Sequence, residues 1–169
     1  MGQLPGAETN MNAKLKQQIA QHPFLRSLPQ EHLAIMMHQA TEKVFNPGEI
    51  ILSEGEPANL FYLINSGRVA IAAGAPDVEN VQTLGPGEVL GWSWLFPPFC
   101  WHFTASAMEP TSCIVLDGGH LLVTAEENPK FGYDLMRLIS QILVGRLQAT
   151  RKKMRASSLT SANENSKNL

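Results

Sequence analysis

The sequence predicts a mainly β domain with flanking helices: an eight-stranded β-roll of the double-stranded β-helix, jelly-roll-like kind, with N-terminal helices before it and a long C-terminal helix after it. Three observations predict this class. Between Lys43 and Asp117, short runs rich in Val, Ile, Leu and Phe are cut by glycine and proline turns, roughly one every seven to twelve residues. On either side of that region, apolar residues recur instead at helical spacings of three and four. About eight short strands at that pitch close into a sandwich or rolled barrel, which leaves few free edges.

In chain order, residues 1–23 read as an N-terminal extension that is partly helical. Met1 to Asn12 mixes Gly, Pro and Asn without periodicity, as a loose terminus does. Ala13 to Ala20 reads as helix, broken before Pro23. A second helix runs from Pro29 to about Thr41, with Pro29 in the first turn, where its missing N–H costs little, and Leu33, Ile35, Met36, Met37 and Ala40 apolar. The domain proper spans 24–155, and its roll occupies about 43–117. Strands are predicted at Lys43 to Phe45, Ile50 to Ser53, Leu60 to Ile64, Val69 to Ala73, Val78 to Thr83, Phe103 to Met108 and Thr111 to Leu116. Turns fall at Asn46-Pro47-Gly48, Glu54-Gly55-Glu56-Pro57 and Asn65-Ser66-Gly67, and Gly74-Ala75-Pro76-Asp77 reads as a hairpin loop. Asp117 is placed to cap a short helix from His120 to Glu127. From Pro129 to about Arg155 one long amphipathic helix carries Phe131, Leu135, Leu138, Ile139, Ile142, Leu143 and Leu147. The tail, 156–169, is polar and is expected to be disordered.

Composition narrows the function. With 169 residues and 44% hydrophobic content the chain fits one domain with a real core. A net charge of −2 creates no global field for nucleic acid or an anionic membrane. No apolar run reaches the roughly 20 residues of a membrane span, and Met1 opens onto polar residues rather than a leader, so a cytoplasmic location is expected. The two cysteines, Cys100 and Cys113, make neither a disulfide framework nor a zinc knuckle and read as buried thiols. Only His102 lies in the roll. His22, His32, His38 and His120 are scattered over helical segments, whereas a cupin-type metal site needs two histidines one residue apart, a third histidine and a carboxylate. No metal, no cofactor and no catalytic residue is expected, because no Ser/His/Asp or Cys/His pairing is legible either.

The stretch from Leu84 to Ala107 holds all three tryptophans. Gly85-Pro86-Gly87 is a turn, Gly91 allows a close backbone approach, and a short helical turn at Trp92 to Trp94 would expose amide N–H groups of partial positive charge. Two uses are open. The aromatic rings can fill a core. Alternatively Gly91, Trp92, Ser93, Trp94, Leu95, Trp101, His102 and Thr104 line a ligand pocket, with the indoles as walls and Ser93, His102 and Thr104 as polar points.

The order helix, glycine-punctuated roll, short helix, long helix, from about Phe24 to Arg155, resembles the cyclic-nucleotide-binding domain of the catabolite-activator and Fnr-type regulators. The residues that carry the resemblance are Asn46-Pro47-Gly48-Glu49-Ile50-Ile51 with Glu54-Gly55, Phe61-Tyr62-Leu63-Ile64-Asn65-Ser66-Gly67-Arg68-Val69, and Leu84-Gly85-Pro86-Gly87-Glu88. The resemblance implies a phosphate cassette in which Gly-Glu opens a short helix and an Arg follows about ten positions later. In the family the Glu accepts from the ribose 2′-hydroxyl and the Arg neutralises the cyclic phosphate. Here Gly91 matches the glycine, Trp92 stands in the place of the Glu, and Cys100 or Trp101 stands in the place of the Arg. No Arg or Lys lies between Arg68 and Lys130, and Arg68 itself reads as a solvated surface charge. A buried phosphate without a cationic partner carries a large desolvation cost, and the missing contacts are the strong, charge-assisted ones.

The expectation is therefore a non-catalytic regulatory or sensor module that does not bind cyclic AMP or cyclic GMP in the usual way. Its pocket is either refitted for a small apolar or aromatic ligand or closed by its own tryptophans. The alternatives are a cyclic-nucleotide-responsive regulator with a non-standard site and a structural dimer module without ligand. The family resemblance implies a homodimer through the long helix. Its stripe of Leu135, Ile139, Ile142, Leu143 and Leu147 is wider than one roll needs, and Gly145 suits close backbone approach. Relatives often continue into a helix-turn-helix. This chain is too short for one after the long helix, so no DNA-binding domain is expected, and Arg151-Lys152-Lys153 with Arg155 reads as helix-terminal cations favoured by the dipole. Any effect on transcription would then run through a partner protein.

Overall fold

The computed structural model describes residues 5–72 and 82–165. The loop expected at Gly74 to Asp77, and the first residues of the strand expected at Val78, lie outside the described residues. The chain divides into two compact units, residues 1–132 and 133–169.

The first unit opens with helix α1 (Pro5–Gln21), which starts well before Ala13 and corrects the reading of a loose terminus over residues 5–12. Pro5 occupies the first helical position, where its fixed φ is already helical, and the two asparagines that follow are carried by cheap elongation from the stronger helix formers. A 3₁₀ turn (Pro23–Leu25) and helix α2 (Gln30–His38) follow. Helix α2 is shorter than predicted because Thr41 already belongs to a strand.

Among the described residues there are eight strands: β1 (Thr41–Phe45), β2 (Ile50–Leu52), β3 (Leu60–Ser66), β4 (Val69–Ala72), β5 (Gln82–Leu84), β6 (Val89–Leu90), β7 (Thr104–Ala107) and β8 (Thr111–Asp117). They form two four-stranded antiparallel sheets, in the orders β1-β8-β3-β6 and β2-β7-β4-β5. Strands β1 and β8, β2 and β7, β3 and β6, and β4 and β5 pair, as in a long ribbon doubled back at its middle and rolled up. Two turns of the same sequence form, x-Pro-Gly-Glu, close in the same way. In each, the Glu carboxylate accepts from the first residue's N–H, Glu49 from Asn46 at 2.9 Å and Glu88 from Gly85 at 2.8 Å.

Side-chain alternation separates two cores. Tyr62 and Phe45 meet inside the roll, rings 6.3 Å apart, and the Tyr62 hydroxyl donates to Ile51 O at 3.3 Å. Phe61, pointing the other way, meets Phe24 of the 3₁₀ turn at 5.6 Å and Trp94 at 6.1 Å. Strands β3 and β8 are therefore buried on both faces and read as continuous apolar runs, Phe61 to Ile64 and Cys113 to Leu116. Helix α3 (Gly118–Glu127) starts where expected, with Asp117 Oδ1 accepting from His120 N at 2.7 Å.

Helix α4 (Pro129–Asn165) begins in the first unit. Its first turn docks there through Phe131, whose ring meets His32 at 5.5 Å, and through Lys130, which pairs with Glu31 at 3.0 Å. The second unit is the rest of this helix. It continues to Asn165, past the expected start of the tail at 156. Leu, Ala, Met and Glu propagate a helix without an apolar stripe, since each added residue gains a hydrogen bond. Within the unit Leu135, Leu138 and Ile139 are buried, Ile142 is half-buried, and Tyr133, Met136, Leu143, Val144 and Leu147 are exposed.

Candidate functional site

Strand β6 ends at Gly91, whose φ is +83°. A Cβ built there would lie 2.9 Å from Leu60 O and 3.2 Å from the Trp101 ring, so only glycine fits. The Trp101 ring covers this turn and is itself only 5% exposed. Its position is fixed by the backbone. Trp101 N donates to Glu56 O and Gly55 N donates to Trp101 O, both at 2.9 Å, while Ala58 N donates to Phe99 O at 2.8 Å, so residues 99–101 are zipped onto residues 55–58.

After Gly91, half-buried Trp92 leads into a single 3₁₀ turn (Ser93–Leu95), shorter than a helix whose aligned amides would hold an anion. Leu95 N and Phe96 N donate back to Trp92 O and Ser93 O, at 3.1 Å and 3.3 Å. The turn presents Trp94 to the helical side of the sheet. Trp94 is 3% exposed, stands edge-on to Phe61 and lies so close to Gly118 that a Cβ there would collide with its indole. Its Nε1 is buried with no hydrogen-bond partner.

The structure thus brings Gly91 and Trp101 together and gives Trp94 a different set of neighbours, Phe61 and Gly118. Ser93 and Leu95 are half-buried and His102 is exposed. Thr104 Oγ1 accepts from Glu54 N at 3.1 Å and so closes a turn. Cys113 is buried, and burial pushes its thiol up to about 12, whereas Cys100 is only half-buried, which corrects the reading of both as buried thiols. Burial first, and then the nearby Cys113 sulfur, holds the Tyr62 phenol above its usual range. Arg68 is exposed, as read from the sequence.

Sequence reasoning missed Gly118 as the seat of Trp94, because Gly118-Gly119 after Asp117 already had an explanation as a helix start. It also missed His22, which is buried between two backbone groups: Nδ1 accepts from Phe24 N at 3.3 Å and Nε2 faces Ile64 O at 3.1 Å. Nothing local distinguishes it from the other histidines. Among the described residues no group of three His, Cys, Asp or Glu side chains is placed to hold a metal, and no helix is long and apolar enough to cross a membrane.

Residues 42–128, about half the chain, match the family model described as "Cyclic nucleotide-binding domain". The chain belongs to this family. The domain is 29% identical over 128 residues to a protein named as a potassium channel protein from Rhodopseudomonas palustris, covering 76% of this chain and 30% of that one. It is 28% identical over 113 residues to a CRP-like cAMP-activated global transcriptional regulator of Mycobacterium tuberculosis, covering 66% of this chain and 50% of that one. The chain thus spans between about a third and a half of the length of these two relatives. A crystal structure of a protein named as a cyclic nucleotide-binding protein from Geobacter metallireducens superimposes with a TM-score of 0.70 at 26% identity, over 80% of this chain and 97% of that one.

Proposed function

We propose that this cyclic nucleotide-binding domain is a non-catalytic regulatory module whose cassette does not take cyclic AMP or cyclic GMP in the usual way. The observation that carries the reading is Trp101. At one of the two positions where the resemblance calls for a phosphate-binding Arg, a neutral indole lies over the Gly91 turn instead. No Arg or Lys exists between Arg68 and Lys130 to take over its charge. An oxyanion at that turn would be desolvated without a counter-charge. The two relatives, named as a channel and as a transcriptional regulator, support a regulatory rather than an enzymatic role. Calorimetry at ordinary salt is expected to show no saturable heat with cyclic AMP or cyclic GMP. Micromolar affinity for either would overturn the reading and would point to backbone amides near Gly91 as the phosphate site.

The Trp101–Gly91 contact favours a cassette closed by its own side chains. The second reading, a pocket refitted for a small apolar or aromatic ligand, would need the aromatic side chains to part, since Trp94 and Trp101 are both buried. A tryptophan-fluorescence and thermal-shift screen with apolar and aromatic metabolites separates the two. The domain works, on this proposal, as a homodimer through helix α4 and signals to a partner protein.

A further inference from the structure

The net charge of −2 conceals a separation of charge along the chain. Residues 1–134 hold fourteen acidic and six basic side chains, whereas residues 135–163 hold six basic ones, Arg137, Arg146, Arg151, Lys152, Lys153 and Arg155, and no Asp or Glu. Four of those six fall within the five residues from Arg151 to Arg155. From sequence these four read as cations at a helix end, where the dipole favours them. The structure removes that explanation. Helix α4 runs on to Asn165, so Arg155 stands ten residues short of its end, whereas the dipole acts within the last turn.

Nor does the helix neutralise them itself. Side chains three and four residues apart are neighbours on a helix, and around each of these four cations those positions hold no Asp or Glu. Some hold further cations instead. Arg151 and Arg155 are four apart and Lys152 and Arg155 three apart, so both pairs repel and oppose the helix that carries them. Arg151, Lys152 and Arg155 are all exposed. At 3.6 residues per turn they fall within about 100° of one another, so they make one cationic side of the helix and not a collar round it. Met154 is 65% exposed and lies about 60° from Arg151, at the edge of that side.

A cationic side bordered by a large apolar side chain suits a surface that offers negative charge with hydrocarbon beneath it. A nucleic acid backbone would match the charge but give Met154 nothing to rest on. We propose that this side of α4, from Arg151 to Arg155, adsorbs to an anionic lipid surface. The helix lies along the surface without crossing it. Arg151, Lys152 and Arg155 reach the headgroup phosphates, which relieves their mutual repulsion, and Met154 settles between headgroups and acyl chains. The stripe expected to meet a second copy ends at Leu147, four residues before Arg151, so adsorption and pairing use different stretches of the helix. Neither depends on what the cassette holds.

The test is co-sedimentation of the full chain with vesicles of phosphatidylcholine alone and of phosphatidylcholine with phosphatidylserine at about three to one. Saturable binding is expected to the mixed vesicles only. Raising the salt from about 0.1 M to about 1 M, which shortens the Debye length from about 10 Å to about 3 Å, is expected to release the protein. The double variant Arg151→Gln, Arg155→Gln keeps helix propensity and should weaken binding about 25-fold, roughly fivefold per cation removed. Both side chains are exposed, so its circular dichroism and its sedimentation without vesicles should match the parent's, which separates lost adsorption from lost fold or lost pairing. If the double variant does not fold, Lys152→Gln serves, with a loss of about fivefold. No binding to the mixed vesicles, equal binding to neutral ones, or unchanged affinity in the variant would each overturn the proposal. Binding to duplex DNA, run in parallel, without binding to vesicles would assign the cations to nucleic acid and overturn it as well.

Discussion

His22 has both ring nitrogens committed. The N–H of Phe24 can only donate, so Nδ1 must be the acceptor, and the single proton of the neutral ring sits on Nε2 and is given to Ile64 O. Burial pulls this imidazole below its usual value near 6.5, against the smaller opposing effect of the Ile64 carbonyl. Between about pH 6.5 and the lower folded value, the unfolded chain binds a proton that the folded chain does not, so stability falls as pH falls. The contribution of His22 is fully present above about pH 6.5 and is lost on acidification through that window. Melting temperature is expected to drop from about pH 7.5 to about pH 5.5, less so in His22→Gln, and an NMR titration is expected to place the His22 midpoint below the usual histidine value. A midpoint at or above it would show that burial does not dominate. Trp94 is the other residue whose surroundings fix a number. Enclosed by Phe61 and Gly118, it should cost about 3 to 5 kcal/mol when cut to Ala, and denaturant melts showing the parent's stability would mean that its ring is not enclosed at all.

At the scale of elements, what was legible is what repeats locally. The strand pitch, the two x-Pro-Gly-Glu turns and the Asp117 cap each depend on a few neighbouring residues, and each is present as read. Helix ends were not legible in the same way. Pro5 and Asn165 bound their helices beyond the expected limits because elongation depends on the residues already helical, not on an apolar stripe. Strand β6 has two residues, too few to show a period, and its partner Tyr62-Leu63 lies far back in the chain. The candidate site was half legible for the same reason. Its aromatic content and missing cation are sequence facts, but which indole covers Gly91 and which one seats on α3 depends on contacts across the fold. That seat gives a test. Gly118→Ala puts a methyl into the Trp94 ring and is expected to destabilise by about 1 to 3 kcal/mol. In the Trp94→Ala background the same change should cost little. Additive losses in this double-mutant cycle would show that the α3 start and the cassette turn do not share a packing contact.

At the scale of the whole molecule, the question is what covers the exposed face of α4. Of the five residues expected to meet a twofold mate, Leu135 and Ile139 are buried, whereas Leu143 and Leu147 are exposed. The face left over is offset from the expected one. Tyr133, Met136, Val144 and Leu147, with small Ser140 among them, recur at three, four and seven residues, and three of the apolar ones, Tyr133, Val144 and Leu147, are more than half exposed. Successive steps of three, four, four and three keep these residues on one face of the α-helix. Next to it Gly145 has open space around its Cα, which allows a second backbone to approach. A monomer would leave this row of large apolar side chains in water, which is unfavourable at roughly 25 cal/mol per Å² of apolar area. Sedimentation at micromolar concentration is therefore expected to show a dimer. Val144→Glu should convert it to a folded monomer, because two carboxylates would meet across the twofold axis away from water. The side chain is exposed in the single chain, so the variant's fold should survive and its circular dichroism should match the parent's. A parent that sediments as a monomer sinks the dimer, and a Val144→Glu variant that stays dimeric moves the interface off this helix.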